Sequence, residues 1–331
     1  MKEQINLIKI LEEKGFTYKT SDGIYFDTSK LKNYGRLAGQ LLSEKVEGAR
    51  IEKNPEKKNS VDFALWKFSQ PGVKRQMEWE SPWGVGFPGW HIECSAMSEK
   101  YLGSPFDIHT GGEDHISVHH PNEMAQTEAA RGHNLANWWL HNAFLLVDGG
   151  KMSKSLGNTY SLDDLRKRGF DPLDYRYFVL GAHYRVPQNF TWQALRAARQ
   201  ARLNLINEIW QINGKDGQIN ADYVKKFQEK INDDLDMPGA LSVVWQIVKD
   251  GAVPAGDRLA TVLKMDEVLG LRLSDILKIE VPDPVKRILK ERKQARLEKN
   301  YELSDKLREE LKQYGFGVKD EPDGQKLILQ F

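Results

Sequence analysis

The stretch Lys151-Met152-Ser153-Lys154-Ser155-Leu156-Gly157-Asn158 follows Val147-Asp148-Gly149-Gly150 directly. Two lysines three positions apart alternate with small hydroxyl residues, and the two preceding glycines give the segment conformational freedom. The lysines can approach a polyanion from one side, and the serines can hydrogen-bond to phosphate. Such an arrangement suits phosphate groups whose charge shifts during a reaction. The alternative interpretation is a solvated basic turn.

The segments before this loop predict an α/β region. Residues 144–147 are an apolar run that leads into the loop, and residues 106–109 form a second strand candidate. Gly111 and Gly112 follow, and a helix is expected to begin near Pro121, since proline is favoured in a first helical turn. A strand, a glycine turn and a helix form the unit that places ligands at the carboxyl ends of strands.

The remaining segments divide into a mixed beginning and a helical end. Residues 1–15 have helical spacing, and Ser21-Asp22-Gly23 predicts a hairpin. From Trp192 onward helices are predicted at 192–213, 221–232, 238–250, 257–269, 283–299 and 302–314, followed by a small hairpin.

The composition indicates a soluble globular protein. The chain has 331 residues, 40% hydrophobic and 29% charged, and its formal net charge of +1 gives no indication of a nucleic-acid partner. No run approaches the ~18 apolar residues of a membrane span. Because Cys94 is the only cysteine, an intramolecular disulfide is excluded and a cytoplasmic location is expected.

A metal site is one interpretation of the histidine-rich part of the chain. All eight histidines lie between His91 and His183, as does Cys94. His119 and Glu123 are four positions apart and can share a helix face. With Cys94 they form a ligand set that Zn²⁺ accepts. The alternative is a buried cysteine with a satisfied histidine elsewhere.

Several motifs together resemble one family. They are PGWHIECSAM at 88–97, FDIH at 106–109, HHPNEMAQ at 119–126, KMSKS at 151–155, DDLDMPGAL at 233–241 and ERKQAR at 291–296. The lysine stretch resembles the KMSKS signature of class I aminoacyl-tRNA synthetases, and the full set resembles cysteinyl-tRNA synthetases over essentially the whole chain. The resemblance implies an incomplete Rossmann-like class I catalytic domain of α/β class, followed by an all-α helical-bundle domain.

The resemblance also implies a domain division and an order of functions along the chain. We expect the remainder of a connective region at 1–80 and the second half of the catalytic domain with the KMSKS loop at 81–190. A helical stem-contact and anticodon-binding domain with a terminal hairpin is expected at 191–331.

Residue roles follow from the same resemblance. Cys94, His119 and Glu123 match three of the four zinc ligands of the family. Trp90, His109 and Asp114 are expected to contact the substrate, whereas His115 and His120 are expected to be structural.

The lysine loop is expected to bind ATP with Mg²⁺. Lys151 and Lys154 would stabilise the departing pyrophosphate, and Ser153 and Ser155 would also contact ATP. The implied reaction forms cysteinyl-adenylate and transfers the cysteinyl group to tRNA(Cys), with zinc selecting the substrate thiolate.

The sequence departs from the family by lacking a His-x-Gly-His motif and a second cysteine. We therefore expect it to correspond to the C-terminal two-thirds of the enzyme, with a parallel sheet that exposes apolar surface. A monomer is expected for the full-length protein.

Two predicted helices carry basic residues at helical spacing, which can neutralise RNA phosphates. The residues are Arg196, Arg199 and Arg202 on one helix, and Lys286, Arg287, Lys290, Arg292, Lys293 and Arg296 on the other. Solvated helix faces are the alternative, because acidic residues are interleaved.

Two other functions remain possible at this point. The chain could be a catalytically incomplete fragment that binds tRNA or complements a missing half. It could also be a related ligase that joins cysteine to an amino sugar, although the long helical tail argues against that.

Overall fold

The computed structural model describes residues 1–39, 54–70, 72, 75–212, 214, 216–321 and 324–330. Most of the polar stretch at residues 41–60 of the sequence lies outside these residues. The chain forms two compact units, Met1–Phe144 and Leu145–Phe331. The three-part division at residues 80 and 190 stays a prediction.

The first unit begins with an antiparallel sheet in the order β1-β2-β3-β4. The strands are β1 (Thr17–Thr20), β2 (Gly23–Phe26), β3 (Phe63–Phe68) and β4 (Gly86–Pro88). Thr20 pairs with Gly23, which confirms the predicted hairpin. Leu65 and Trp66 of β3 are fully buried and belong to the apolar core of this unit.

Three helices complete the core of the first unit. They are α1 (Lys2–Glu13), α2 (Trp90–Leu102) and α3 (His119–Arg131). Ile8 of α1, Ile92 of α2 and Ala125 of α3 pack in one apolar cluster with β2 and β3. Helix α3 begins at His119, near Pro121 as predicted, so that its first turns carry both His119 and Glu123.

A parallel pair of strands lies in the same unit. Strand β5 (Phe106–Gly112) pairs with β6 (Ala136–Asn142), a strand that the sequence analysis missed. Ile108 and Trp138 are paired on one face, where their side chains are 57% and 70% exposed. Since parallel sheets normally bury both faces, this exposure agrees with the expected apolar surface.

The second unit begins with a small sheet in the order β8-β7-β9. Its strands are β7 (Leu145–Val147), β8 (Gly150–Lys151) and β9 (Gln188–Phe190), and the helices α4 (Leu162–Lys167) and α5 (Pro172–Leu180) follow β8 in sequence. Val147, Leu165 and Phe178 share an apolar core. Asp171 caps α5 in a reciprocal capping box with Asp174.

The predicted helical end is confirmed. It contains α6 (Trp192–Trp210), α7 (Ala221–Asn232), α8 (Met237–Lys249), α9 (Ala255–Leu269), α10 (Asp283–Leu297), α11 (Tyr301–Gln313) and the antiparallel hairpin β10 (Phe316–Glu321) and β11 (Gly324–Leu329). Leu205, Val244 and Val262 lie in its core. In the part of the chain that is described, no helix is long and apolar enough to cross a membrane.

Candidate functional site

Helices α2 and α3 bring the three predicted metal ligands together. His119 and Glu123 lie four positions apart on α3, and His119 Nε2 is 3.6 Å from Glu123 Oε1. Cys94 projects from α2, and the ligand atoms of the three residues all lie within 4.8 Å of one another. A thiolate sulfur, an imidazole nitrogen and a carboxylate oxygen are donors that zinc accepts.

Glu123 is the most deeply buried member of the set. Its side chain has no exposed surface, and its Oε1 has no hydrogen-bond partner among the described residues. Its Oε2 accepts a hydrogen bond of 2.9 Å from His109 Nε2. A buried carboxylate oxygen without a partner is costly, and a bound cation would satisfy it. The geometry therefore fits a metal ion on the Oε1 side.

A second arrangement of possible ligands shares Glu123. His109, His120 and Glu123 also have their ligand atoms within 4.8 Å of one another. His120 is buried, and its Nδ1 lies 2.7 Å from His141 Nε2 on β6. Burial, reinforced by the neighbouring histidines, lowers the pKa of His120 to about 3. The imidazole is therefore neutral at physiological pH.

The ionisation of the other ligands also follows from burial. Burial, with the nearby carboxylates of Glu123 and Glu93, raises the pKa of the Cys94 thiol to about 11. Burial lowers the pKa of His119, although Glu123 opposes this shift. The imidazole is consequently in the neutral form that metals bind, whereas the thiol would lose its proton on binding a cation.

Gly111, near the end of β5, allows the histidines to approach the strand. A Cβ at this position would lie 2.5 Å from His115 Nδ1 and 2.6 Å from His120 Cε1. Any larger residue would push both rings away. The prediction of a turn at Gly111 and Gly112 is wrong, because both glycines are paired residues of β5, and Gly111 has a steric function there.

The three predicted substrate residues lie around this cluster. Trp90, the first residue of α2, is 75% exposed, and its ring centroid is 6.1 Å from that of His119. Asp114 is exposed in the short 3₁₀ turn Glu113–Ile116. His109 hydrogen-bonds to Glu123 and packs edge-on against Trp139. Trp90 is thus not a core residue, and the contacts of all three with substrate stay predictions.

His91 contacts His119, which the sequence did not predict. Their Nδ1 atoms are 2.8 Å apart, and their ring centroids are 4.8 Å apart. The clustering of histidines along the sequence was the only signal for this contact. Such clustering does not show which ring nitrogens face each other.

The lysine loop has a defined conformation within the second unit. Lys151 ends β8, Lys154 begins the 3₁₀ turn Lys154–Leu156, and both side chains are exposed. The Asn158 side chain accepts a hydrogen bond of 2.8 Å from Ser153 N and donates one of 3.0 Å to Lys151 O. These bonds tie the ends of the loop together and leave the lysine side chains available to an anion.

Comparisons with known proteins agree with this arrangement. The family model described as tRNA synthetases class I (C) catalytic domain matches residues 1–200, and the cysteinyl-tRNA ligase anticodon binding domain matches residues 279–326. The cysteine–tRNA ligase 1 of Burkholderia lata is 49% identical over 98% of this chain and 69% of its own length. The chain belongs to the cysteine–tRNA ligase family.

A second relative and a solved structure support the same family and fold. The cysteine–tRNA ligase of Treponema denticola is 40% identical over 96% of this chain and 72% of its own length. A methionyl-tRNA synthetase of Mycobacterium tuberculosis bound by methionyl-adenylate has a TM-score of 0.53 at 14% identity, covering 85% of this chain and 75% of that one. That likeness shows the class I synthetase fold. Cysteine–tRNA ligases are aminoacyl-tRNA synthetases, whose substrates are an amino acid, ATP and tRNA.

Two of the basic residues that the sequence predicted to contact RNA are buried in this chain. Arg202 forms an ion pair of 2.8 Å with Asp174, and Arg292 forms one of 3.0 Å with Asp320. Both guanidinium groups hold elements of the protein together, so neither is free for RNA phosphates. Of the other predicted basic residues, Arg199 is half-buried, and the exposed ones are Arg196, Lys286, Arg287, Lys290, Lys293 and Arg296.

Proposed function

We propose that Cys94, His119 and Glu123 hold a zinc ion that selects cysteine as the amino acid substrate. The observation that carries this proposal is the partnerless, fully buried Oε1 of Glu123 beside His119 Nε2 and the Cys94 thiol. A bound zinc would accept the thiolate of the substrate as a further ligand, which serine and alanine cannot offer.

The residues around the proposed zinc site bind and position the amino acid. The exposed indole of Trp90 forms a wall beside His119, and His109 orients Glu123 through its hydrogen bond to Oε2. Asp114, exposed in the turn that follows β5, would contact the substrate in this proposal. These assignments rest on the motif resemblance and on the position of the residues around the histidine cluster.

The lysine loop binds MgATP in this proposal. Lys154 and Lys151 neutralise the phosphates and the departing pyrophosphate, and Ser153 and Ser155 hydrogen-bond to phosphate oxygens. The exposed lysines and the tied ends of the loop support this role. Catalysis of adenylate formation by such groups consists mainly of positioning and charge stabilisation.

We also propose that tRNA(Cys) binds to the helical end of the chain. The exposed basic side chains of α10 and the match of residues 279–326 to an anticodon-binding domain support this partner. A monomeric full-length enzyme in the cytoplasm is part of the proposal, and the single free cysteine is compatible with that compartment.

Metal analysis combined with cysteine-dependent ATP–pyrophosphate exchange tests the function. The chain should purify with about one equivalent of zinc, and Cys94→Ser should lose most of it while keeping its circular dichroism spectrum. Zinc content that is unaffected by Cys94→Ser would contradict the proposed site.

The exchange assay separates the alternatives. Cysteine-dependent exchange by this chain would exclude a catalytically incomplete fragment. Salt-sensitive tRNA binding without exchange would favour the fragment, and exchange without tRNA binding would favour the amino-sugar ligase.

A further inference from the structure

The side chain of His91 contacts His119, one of the three proposed zinc ligands. His91 lies in the first turn of α2, and its Nδ1 is 2.8 Å from Nδ1 of His119. At this distance one nitrogen carries a proton and donates a hydrogen bond, and the other nitrogen accepts it. The two rings must therefore hold complementary tautomers.

Coordination of a metal through Nε2 of His119 would fix which ring donates. His119 Nε2 faces Glu123 Oε1 at 3.6 Å, on the ring atom opposite to the contact with His91. An imidazole binds a metal through an unprotonated nitrogen. If Nε2 is the ligand, the proton of His119 resides on Nδ1, and this Nδ1–H donates a hydrogen bond to His91 Nδ1.

The ring of His91 is itself held in place. Phe63 of β3 packs edge-on against it, with ring centroids 5.6 Å apart and an interplanar angle of 90°. Its helix is joined to α3 by Ser95 Oγ, which lies 2.6 Å from the side-chain amide of Gln126. The acceptor nitrogen therefore has a fixed position relative to α3.

We propose that His91 is a positioning residue for the zinc site, an inference that rests on the proposed function. It accepts a hydrogen bond from Nδ1–H of His119. This bond keeps Nε2 of His119 unprotonated and directed at the metal. Partners of this kind in the outer shell hold the tautomer and orientation of a ligating histidine. His91 is not a ligand itself, because its Nδ1 faces the side of His119 away from Glu123.

The experiment compares His91→Asn with His91→Leu in the full chain. Asparagine offers an oxygen near the position of Nδ1 and preserves the acceptor, whereas leucine fills similar space without one. Zinc affinity is measured by competition with a chelator. His91→Leu should weaken binding about 10- to 100-fold, and His91→Asn should remain close to the unsubstituted chain. His133→Leu, an exposed histidine of the same unit, is the matched control.

A second readout is the hydrogen bond between the two rings. Long-range ¹⁵N–¹H spectra of the zinc-loaded protein should show Nδ1–H of His119 donating a hydrogen bond in the unsubstituted chain and in His91→Asn. In His91→Leu this hydrogen bond should be lost. Equal zinc affinity in all three proteins, or the absence of this hydrogen bond in the unsubstituted chain, would overturn the inference.

Two further outcomes are distinguishable. An equal loss of affinity in the asparagine and leucine variants would assign His91 a packing role and overturn the positioning role. An unsubstituted chain that binds no zinc would overturn the proposed zinc function, and the role of His91 in metal binding with it.

Discussion

At the scale of single residues, the carboxylate of Glu123 determines most of the chemistry of the site. One oxygen is held by His109, and the other lacks a partner while facing His119 and Cys94. The sequence could suggest this ligand set, because His119 and Glu123 share a helix face at four-residue spacing. It could not show that Glu123 is completely buried, since that depends on the packing of α3 against distant segments.

Glu123→Gln should weaken zinc binding at least ~10-fold, because the amide removes the negative charge that the metal neutralises. The change is measured as the dissociation constant for zinc in chelator competition. Glu128→Gln is the control: Glu128 lies on the same helix and pairs with Arg36 at 2.7 Å. If both variants bind zinc like the unsubstituted chain, Glu123 is not a ligand.

Lys154→Ala should weaken the binding of MgATP roughly 10- to 150-fold, since a charged hydrogen bond to phosphate contributes about 1.5–3 kcal/mol. The dissociation constant is measured by calorimetry. Lys167→Ala removes a lysine of α4 and should leave the affinity unchanged. A similar loss in both variants would mean that general positive charge, and not the KMSKS loop, attracts the nucleotide.

At the scale of elements, the helices were predicted better than the strands. The spacing of apolar residues predicted each helix from Trp192 onward to within a few residues. Strand β6 was missed because Trp138 and Trp139 are adjacent, so that its sequence lacks the apolar–polar alternation of a half-buried strand. Its parallel partner β5 is remote in sequence, and such a pairing leaves no local turn signal.

The terminal hairpin is attached to the helices through Asp320. Its carboxylate contacts Arg292 at 3.0 Å, Arg296 at 3.2 Å and Arg308 at 2.9 Å. The hydrogen bond from Arg292 is the main cause of the lowered pKa of Asp320. This side chain therefore joins α10 and α11 to β10.

Asp320→Asn should lower the free energy of unfolding at neutral pH by about 3 kcal/mol, because it leaves the fully buried Arg292 without its counter-charge. The pKa of Asp320 is lower in the folded than in the unfolded state. Its contribution is therefore complete above a pH of about 4 and is lost as the pH falls through the folded-state pKa.

Urea unfolding of both proteins at several pH values checks this prediction. The difference between them should shrink below a pH of about 4. Asp283→Asn removes an exposed carboxylate of α10 and serves as the control, with a much smaller change expected because its ion pair with Lys286 is exposed. A difference that persists unchanged into acid would contradict the assigned role of Asp320.

At the scale of the whole molecule, the family could be predicted from the sequence because several separate motifs occur in the right order. The helical spacing of basic residues predicted RNA contact less reliably. Arg202 and Arg292 fit that spacing, but both are buried in ion pairs. Burial separates the arginines that hold the fold from those that can reach a partner. The remaining exposed basic face of α10 is therefore the better candidate for RNA contact.

Replacing Lys290 and Lys293 by alanine should weaken tRNA(Cys) binding and lower its salt dependence. The logarithm of the association constant decreases linearly with the logarithm of the salt concentration. The magnitude of this slope should fall by about one per lysine that contacts a phosphate. Filter binding at several salt concentrations measures both quantities. Lys264→Ala on α9, where the lysine pairs with Glu267, is the control and should leave the slope unchanged. An unaltered slope in the double variant would exclude this face of α10.

X-ray absorption of the zinc-loaded chain, with and without L-cysteine, tests the central claim most directly. The spectrum should show one sulfur ligand at about 2.3 Å without substrate, contributed by Cys94, and two with L-cysteine. L-serine should leave the sulfur count at one. A zinc ion without sulfur in its first shell, or a sulfur count that L-cysteine does not raise, would contradict the proposal that Cys94, His119 and Glu123 hold a zinc that selects the substrate thiolate.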